Sequence, residues 1–583
     1  MPSALNQQAR RAEQLSHAGN WRDAILAWRE LIAAAPRNAR AHAGLGLSLA
    51  QAGHAADAID AYGKALHLGL AADEVAAGIG IVFCLRQQYD VARENLRMAV
   101  TSNPHNIAAW ANLTTANVRL GRFQDALQSA HQALALEPDN ASVASSLGTL
   151  FKDLGHAAEA IDWLRQAIAN QPANTDFRSN LMWAMLHADH VSAADILNEG
   201  RSHALLLPEP GNDISVSDSN NRKLRIGWVS SDLRNHAVGR FVIPLLPALQ
   251  ANGIDSIAFN TGNHQDDWSA RAKAGTSAWH DVGDRNDVEI ASLITREHID
   301  ILIDLGGHSD GGRLGVFARR PAPIQMSWLG FPGTSGLEQI DYVLVPPDLA
   351  LLNDGWSSER PLSLAQTYYV RDAAELRLPA NQDTPCLRSG QVTFGSLNNL
   401  AKVSDSAVAA WSTILHSVLD SRMILIAAAG DEELVKSDVL ERFAHHGITA
   451  DRLDIRPRMA PDRYLATYEE IDLLLDAFPF TGGTTGCDAL CRGTPFVTLT
   501  GEALHTRLGA ALLRTAGLND LITGTTDDYV ARAVALGNAP DALQALRQRL
   551  HANLPTCALF DLVGFAQDFA VLMRGTMMQH RAG

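Results

Sequence analysis

The sequence predicts an N-terminal α-solenoid followed by two doubly wound α/β lobes. Three observations carry this: a 34-residue self-similarity through the first third, short apolar runs alternating with helical stretches after it, and one proline-rich passage that divides that alternation in two. At 583 residues the chain exceeds what one hydrophobic core organises.

The repeats come first. Pro36, Pro104, Pro138 and Pro172 share one 34-residue register, with Leu70 at the single place where proline is missing. Seventeen residues before each of these stand Gly19, Gly53, Gln87, Gly121 and Gly155, and five residues further on Ala24, Ala58, Ala92, Ala126 and Ala160. A second alanine column (Ala65, Ala99, Ala133, Ala167) and an aliphatic one (Leu45, Ile79, Leu113, Leu147) keep the same period. Alanine lets two helices approach closely, glycine turns between them, and proline stops the second. The pattern resembles the tetratricopeptide repeat, which implies a superhelix whose concave groove binds a peptide or protein.

Residues 1–200 are therefore assigned to the repeats and 201–223 to a linker, on the composition of Pro208-Glu-Pro-Gly211 and Ser217-Asp-Ser-Asn-Asn221. Strands are expected at Leu224 to Val229, Ser256 to Phe259, Ile299 to Leu305, Ile324 to Leu329 and Tyr342 to Val345. After an irregular passage from Val345 to Cys386 they resume at Gln391 to Phe394, Met423 to Ala428, Leu453 to Ile455, Leu473 to Leu475 and Phe496 to Leu499. The first lobe is placed at 224–388 and the second, with terminal helices, at 389–583. Ligands of such sheets bind beyond the carboxyl ends of the strands, which makes the cleft between lobes the expected site.

A formal net charge of −16 argues against nucleic acid or an anionic membrane as partner. The five cysteines are scattered without zinc-site spacing, and no run of about 18 apolar residues or signal-like N-terminus is present. Neither a metal nor a disulfide framework is expected, and the cytoplasm is the expected compartment.

Five segments carry chemistry. The first expected strand runs into a polar loop ending at His236, where an imidazole can take a proton from a hydroxyl. Ile301 to Gly312 ends in a glycine loop around His308, and Pro332-Gly333-Thr334-Ser-Gly336 offers amides and hydroxyls to a sugar or phosphate. Lys402 stands just past a strand end, where a fixed cation lowers the barrier to departure of a diphosphate. Thr484 and Thr485 follow a glycine turn at a helix start, an anion-binding arrangement, with Asp488 one turn on to accept hydrogen bonds from ribose.

In this order RIGWVSSD, RPAPIQMSWLGFPGTSG, NNLAK, LLLDAFPFTGGTTGCDAL and GTPFVTLTGE resemble the catalytic region of the O-GlcNAc transferase and SPINDLY family, glycosyltransferase family 41. The resemblance spans about Leu224 to Tyr342 and Gln391 to Thr523. It implies two lobes of glycosyltransferase-B type and inverting, metal-independent transfer of one sugar from a nucleotide-sugar to Ser or Thr of a protein, with no cofactor. His236 matches the family's active-site histidine, whose role as base the resemblance leaves open, and Lys402 its diphosphate-binding lysine. Thr484, Thr485 and Asp488 match the diphosphate and ribose contacts. Asn399 and Tyr464 fall at nucleotide-sugar positions usually held by glutamine and histidine. His308, Pro332, Gly333 and Thr334 are candidate sugar or acceptor contacts. UDP-GlcNAc is the expected donor. The alternatives are GDP-fucose, since Asn398-Asn-Leu-Ala-Lys402 and Gly307-His308 read like SPINDLY, and a repeat scaffold with an inactive transferase domain. About five repeats and no long insert between the lobes suggest a bacterial-type member.

Overall fold

The computed structural model describes residues 2–211, 222–350, 355–427 and 433–582. It divides into two compact units, one of Met1–Leu150 and Trp163–Pro172, the other of Phe151–Asp162 and Ala173–Gly583.

In the first unit the helices from Pro2–His17 to Phe123–Leu136 each pack on the next in sequence, as in Ala39–Gln51 on Ala55–His67 and Ala72–Leu85 on Tyr89–Ser102. The alanine columns are the contact surface, since Ala24, Ala58, Ala65, Ala92, Ala99, Ala126 and Ala133 are all fully buried. A larger residue there would have to push two helix backbones apart. The turn column earns its glycines, because Gly19, Gly53 and Gly121 have φ of 70°, 85° and 70°, and Gln87 takes the same left-handed conformation at 58°. A further column joins those read from the sequence. Asn38, Asn106 and Asn140, two residues past each proline, accept hydrogen bonds from the backbone N–H groups of Ala41, Ala109 and Val143 at 3.1, 3.0 and 3.0 Å and so cap the next helix.

The second unit holds two parallel sheets. The first contains β1 (Leu224–Ser230), β2 (Ile254–Asn260), β3 (Ala278–Asp281), β4 (Ile301–Asp304), β5 (Ile324–Ser327), β6 (Tyr342–Val345) and β7 (Arg360–Ser363), in the order β3-β2-β1-β4-β5-β6-β7. The second contains β8 (Thr393–Ser396), β9 (Arg422–Ile426), β10 (Leu453–Arg456), β11 (Leu473–Leu475), β12 (Phe496–Leu499) and β13 (Ile522–Thr523), in the order β10-β9-β8-β11-β12-β13. Connections run outward in opposite directions from β1 and β4, and again from β8 and β11, so each sheet has a switch point where a crevice opens.

Three assignments from sequence change. Strands β3, β7 and β13 were not expected. All three are edge strands, and Ala278-Trp-His-Asp281 and Arg360-Pro-Leu-Ser363 are too polar or too poorly buried to read as core strands. The helices Thr175–Leu186 and Ala193–Ala204 belong with the sheets and not with the repeats. The second of them, capped by Ser192 and Asp195, runs into the stretch expected as linker and packs so closely that a Cβ on Gly336 would overlap the Gly200 backbone. Ser217 to Asn221 and Ala428 lie outside the described residues. Finally, the helix Leu562–Ala582 leaves the second lobe and lies on the first, placing Phe569 at 6.0 Å from Trp228 and Phe565 at 6.1 Å from Trp328 between ring centres. Phe565, Phe569 and Met573 repeat at i, i+4 and i+8 and are buried, and that apolar stripe covers the indoles.

Candidate active site

At the first switch point β1 and β4 end side by side. Asp304, the last residue of β4, is buried and accepts hydrogen bonds from the N–H groups of Gly306 and Gly307 at 2.9 and 3.0 Å, which folds the glycine loop back on the strand. Burial pushes its carboxyl up to about 6. Beyond β1 the chain turns at Asp232, whose N–H donates to Ser230 at 2.9 Å, and enters the helix Ala237–Ala251 with His236 as N-cap. Gly239 makes this turn possible, since a Cβ there would overlap the Arg234 carbonyl. His236 Nδ1 lies 3.6 Å from Asp232 Oδ2 and accepts from Val238 N–H at 3.4 Å. Its side chain remains 40% exposed, and partial burial, opposed by Asp232, holds it below its ordinary pKa.

His308 is not at this surface. It is 4% exposed, its Nε2 donates to the Ser335 carbonyl at 3.0 Å, and its Nδ1 is within 3.0 Å of the Ser179 hydroxyl. Its ring packs 4.7 Å from His203 and 5.0 Å from Phe331, and burial pushes it down to about 3. With both nitrogens engaged it ties the helix Thr175–Leu186 to the lobe and has none to offer a sugar. Pro332, Gly333 and Thr334 are buried too. The Thr334 hydroxyl and the Ser335 N–H both donate to the buried Glu359 at 2.7 Å, and the Ser335 hydroxyl binds the same carboxylate. The hydroxyls expected to meet a ligand are used up inside the fold.

The second switch point, between β8 and β11, gathers more of the expected residues. Asp476, one residue past β11, accepts from Gly482 N–H at 2.8 Å, Thr498 hydroxyl at 2.8 Å and Asn398 amide at 3.2 Å. It thereby shapes the Thr481-Gly482-Gly483 turn much as Asp304 shapes its own loop. Lys402 donates to the Thr481 carbonyl at 3.0 Å and stands 3.6 Å from the centre of the Phe480 ring. Burial pulls Lys402 down to about 8, against the pull of Asp476. Asn399 instead caps its own turn, its side-chain oxygen accepting from Ala401 N–H at 3.1 Å. The lysine segment is braced from behind. A Cβ at Gly155 would come within 2.9 Å of the carbonyls of Leu400 and Val403, and Arg442 donates to the Val403 carbonyl at 2.6 Å.

The helix Thr484–Cys491 begins at Gly483 with no side-chain cap, so its first N–H groups keep their capacity to bind an anion. Tyr464 reaches it indirectly: its hydroxyl lies 2.8 Å from that of Tyr468, which donates to the Thr485 carbonyl at 3.1 Å. Asp488 is buried at 3% exposure and paired with Arg371 at 3.2 Å and Arg240 at 3.9 Å. Arg240 lies on the helix that His236 caps, so the two switch points are bridged by an ion pair. Sequence reasoning missed Arg240, Arg371, Asp304, Asp476 and Asn398. The two aspartates were findable, each being the last acid before a glycine turn at a strand end, whereas Arg371 lies in the irregular passage and carries no local signal.

The arrangement supplies a histidine at one strand end and a cation with an open helix start at the other, the parts needed to hold a diphosphate and attend a hydroxyl. Among the described residues no group of three or more His, Cys, Asp or Glu is placed to hold a metal, and no helix is long and apolar enough to cross a membrane.

Comparisons with known proteins agree with the fold. The tetratricopeptide repeat model matches residues 10–74 and 115–175. A "Probable UDP-N-acetylglucosamine--peptide N-acetylglucosaminyltransferase SPINDLY" of Eustoma exaltatum subsp. russellianum is 34% identical over 304 residues, 52% of this chain and 33% of the relative. The like-named SEC protein of Arabidopsis thaliana is 29% identical over 362 residues, 60% of this chain and 36% of the relative. The chain thus spans about a third of the length of these curated relatives. A solved structure of an O-GlcNAc transferase mutant from Thermobaculum terrenum superposes with a TM-score of 0.80 at 27% identity, covering 87% of this chain and 98% of that one. The model of glycosyl transferase family 41 matches residues 210–379 and 379–569, and the chain belongs to that family.

Proposed function

We propose that the protein transfers a single GlcNAc from UDP-GlcNAc to Ser or Thr hydroxyls of an acceptor protein held by the repeats. The observation that carries the reading is the pairing of Lys402 with the uncapped start of the helix Thr484–Cys491, both arranged around the Thr481-Gly482-Gly483 turn. As the bond from the anomeric carbon to the diphosphate oxygen breaks, its electron pair stays on the diphosphate. The ammonium and the helix N–H groups meet that charge. The acceptor hydroxyl attacks from the opposite face, which inverts the centre, and loses its proton. His236 is suited to receive it: burial holds its pKa below the ordinary value, so the ring is neutral with one nitrogen unprotonated, and the nearby Asp232 carboxylate favours the imidazolium that forms. Lys402 and the helix start take the electrostatic role a metal ion plays elsewhere, and the reading needs no cofactor. The relatives named above, N-acetylglucosaminyltransferases and an O-GlcNAc transferase, favour UDP-GlcNAc over GDP-fucose.

The test is thermal stabilisation by UDP and by GDP, followed by UDP release from UDP-GlcNAc in the presence of a chelator. A ligand at about 100 times its Kd adds about 2.7 kcal/mol to the native state. Stabilisation by UDP alone with chelator-resistant turnover is expected. Stabilisation by GDP alone moves the donor to GDP-fucose, and stabilisation by neither leaves a scaffold without transferase activity.

A further inference from the structure

Tyr369, in the irregular passage between the sheets, presses its hydroxyl against the glycine that begins the helix Thr484–Cys491. A Cβ built on Gly483 would overlap that hydroxyl. Gly483 has φ of −78° and ψ of −76°, outside the left-handed region, so its dihedrals do not call for glycine, and the space taken by Tyr369 does. The ring is fixed, lying 4.9 Å from Phe241 and 4.7 Å from Tyr368, and only 4% of the residue is exposed. Among the described residues its hydroxyl has no hydrogen-bond partner. The hydroxyl is not among the fully buried polar atoms left without a partner, so it is open to approach, and beside an uncapped helix start it is placed to meet something that arrives from outside. Burial holds the phenol well above its ordinary pKa, so it stays protonated and able to donate.

We infer that Tyr369 contacts the donor, its hydroxyl donating a hydrogen bond to a phosphoryl oxygen of a nucleoside diphosphate seated on the N–H groups of Thr484 and Thr485. Gly483 is the complementary half of this arrangement, because any side chain there would displace the hydroxyl. The inference rests on the reading above that a nucleotide-sugar binds at this turn.

The test is calorimetric titration of the full chain with UDP and with GDP, comparing wild type, Tyr369→Phe, Gly483→Ala and the double variant, with thermal midpoints to confirm folding. Tyr369→Phe keeps the ring and its packing and is expected to weaken nucleoside diphosphate binding about tenfold or more. Gly483→Ala should weaken it comparably in the wild-type background and add little in Tyr369→Phe. If wild type binds a diphosphate and Tyr369→Phe binds it within twofold, the tyrosine assignment is overturned while the functional reading stands. Equal losses from Gly483→Ala in both backgrounds also overturn it. If wild type binds neither diphosphate, the functional reading itself falls and this inference with it.

Discussion

The ammonium of Lys402 lies 3.6 Å above the Phe480 ring while donating to the Thr481 carbonyl, so the cation is held by a π face on one side and a backbone dipole on the other. The ring belongs to a larger aromatic contact: Phe480 stacks 6.2 Å from Trp183 and lies 5.0 Å from His187, both on or beside the helix Thr175–Leu186. The placement of the cation therefore depends on residues far from it in sequence.

Lys402→Ala is expected to lower turnover by about a hundredfold or more, near 3 kcal/mol, with little change in thermal midpoint, because the charge acts mostly on the leaving diphosphate. Since burial holds Lys402 near 8, its charge is lost as pH rises through that value. In wild type kcat/KM should fall above pH about 8. Flat kcat/KM between pH 7 and 9.5 would remove the lysine from the rate-determining electrostatics.

Asp232→Asn probes the histidine. With the carboxylate 3.6 Å from Nδ1 gone, the negative charge that favours the protonated imidazole is lost, and transfer should drop at least tenfold while diphosphate affinity is retained. His236→Ala should abolish most transfer and likewise spare the diphosphate. Loss of diphosphate affinity in either variant would relocate the histidine to the donor side.

A pH-dependent contribution to stability is expected from His156 and Asp438, 2.8 Å apart within the second unit. The hydrogen bond to Asp438 raises the folded pKa of His156. The stabilisation is thus complete below the unfolded value of about 6.5 and disappears as pH climbs through the raised folded value. His156→Gln should lower stability by about 1 kcal/mol at pH 5.5 and by less at pH 8.5 in denaturant titrations. A difference that grows with pH would contradict the assignment.

Asn106→Ala removes a helix cap in the repeats and should cost about 1 kcal/mol in equilibrium unfolding. The same change at Asn112, whose amide donates to the Ala108 carbonyl on the exposed face of one helix, should cost only a few tenths. Equal costs would mean the cap contributes nothing.

These residues also mark what could be read from the sequence. The proline, glycine and alanine columns announced the helix pairs because each answers a local demand of the backbone. The asparagine column obeyed the same period and was legible, though passed over. Buried strands were found because a run such as Ile301-Leu-Ile-Asp304 has no polar face, while Ala278–Asp281 at the sheet edge looks like loop. In the site, Lys402, Thr484 and Thr485 stand beside the turn their position in the motifs promised, because a strand end followed by a glycine turn dictates local geometry. His308 and Thr334 shared such motifs yet turned inward, since their partners Ser179, Ser335 and Glu359 come partly from distant segments that no local pattern announces. Arg371 and Tyr369 were invisible for the same reason.

The helix Leu562–Ala582 has a consequence for how the molecule is made. Trp228 and Trp328 belong to the first sheet, yet their cover, Phe565 and Phe569, is translated only after the whole second lobe. At about 5–20 residues per second the ribosome leaves those indoles bare for on the order of ten seconds or more. That face of the first lobe therefore cannot close until Phe565 and Phe569 have been made.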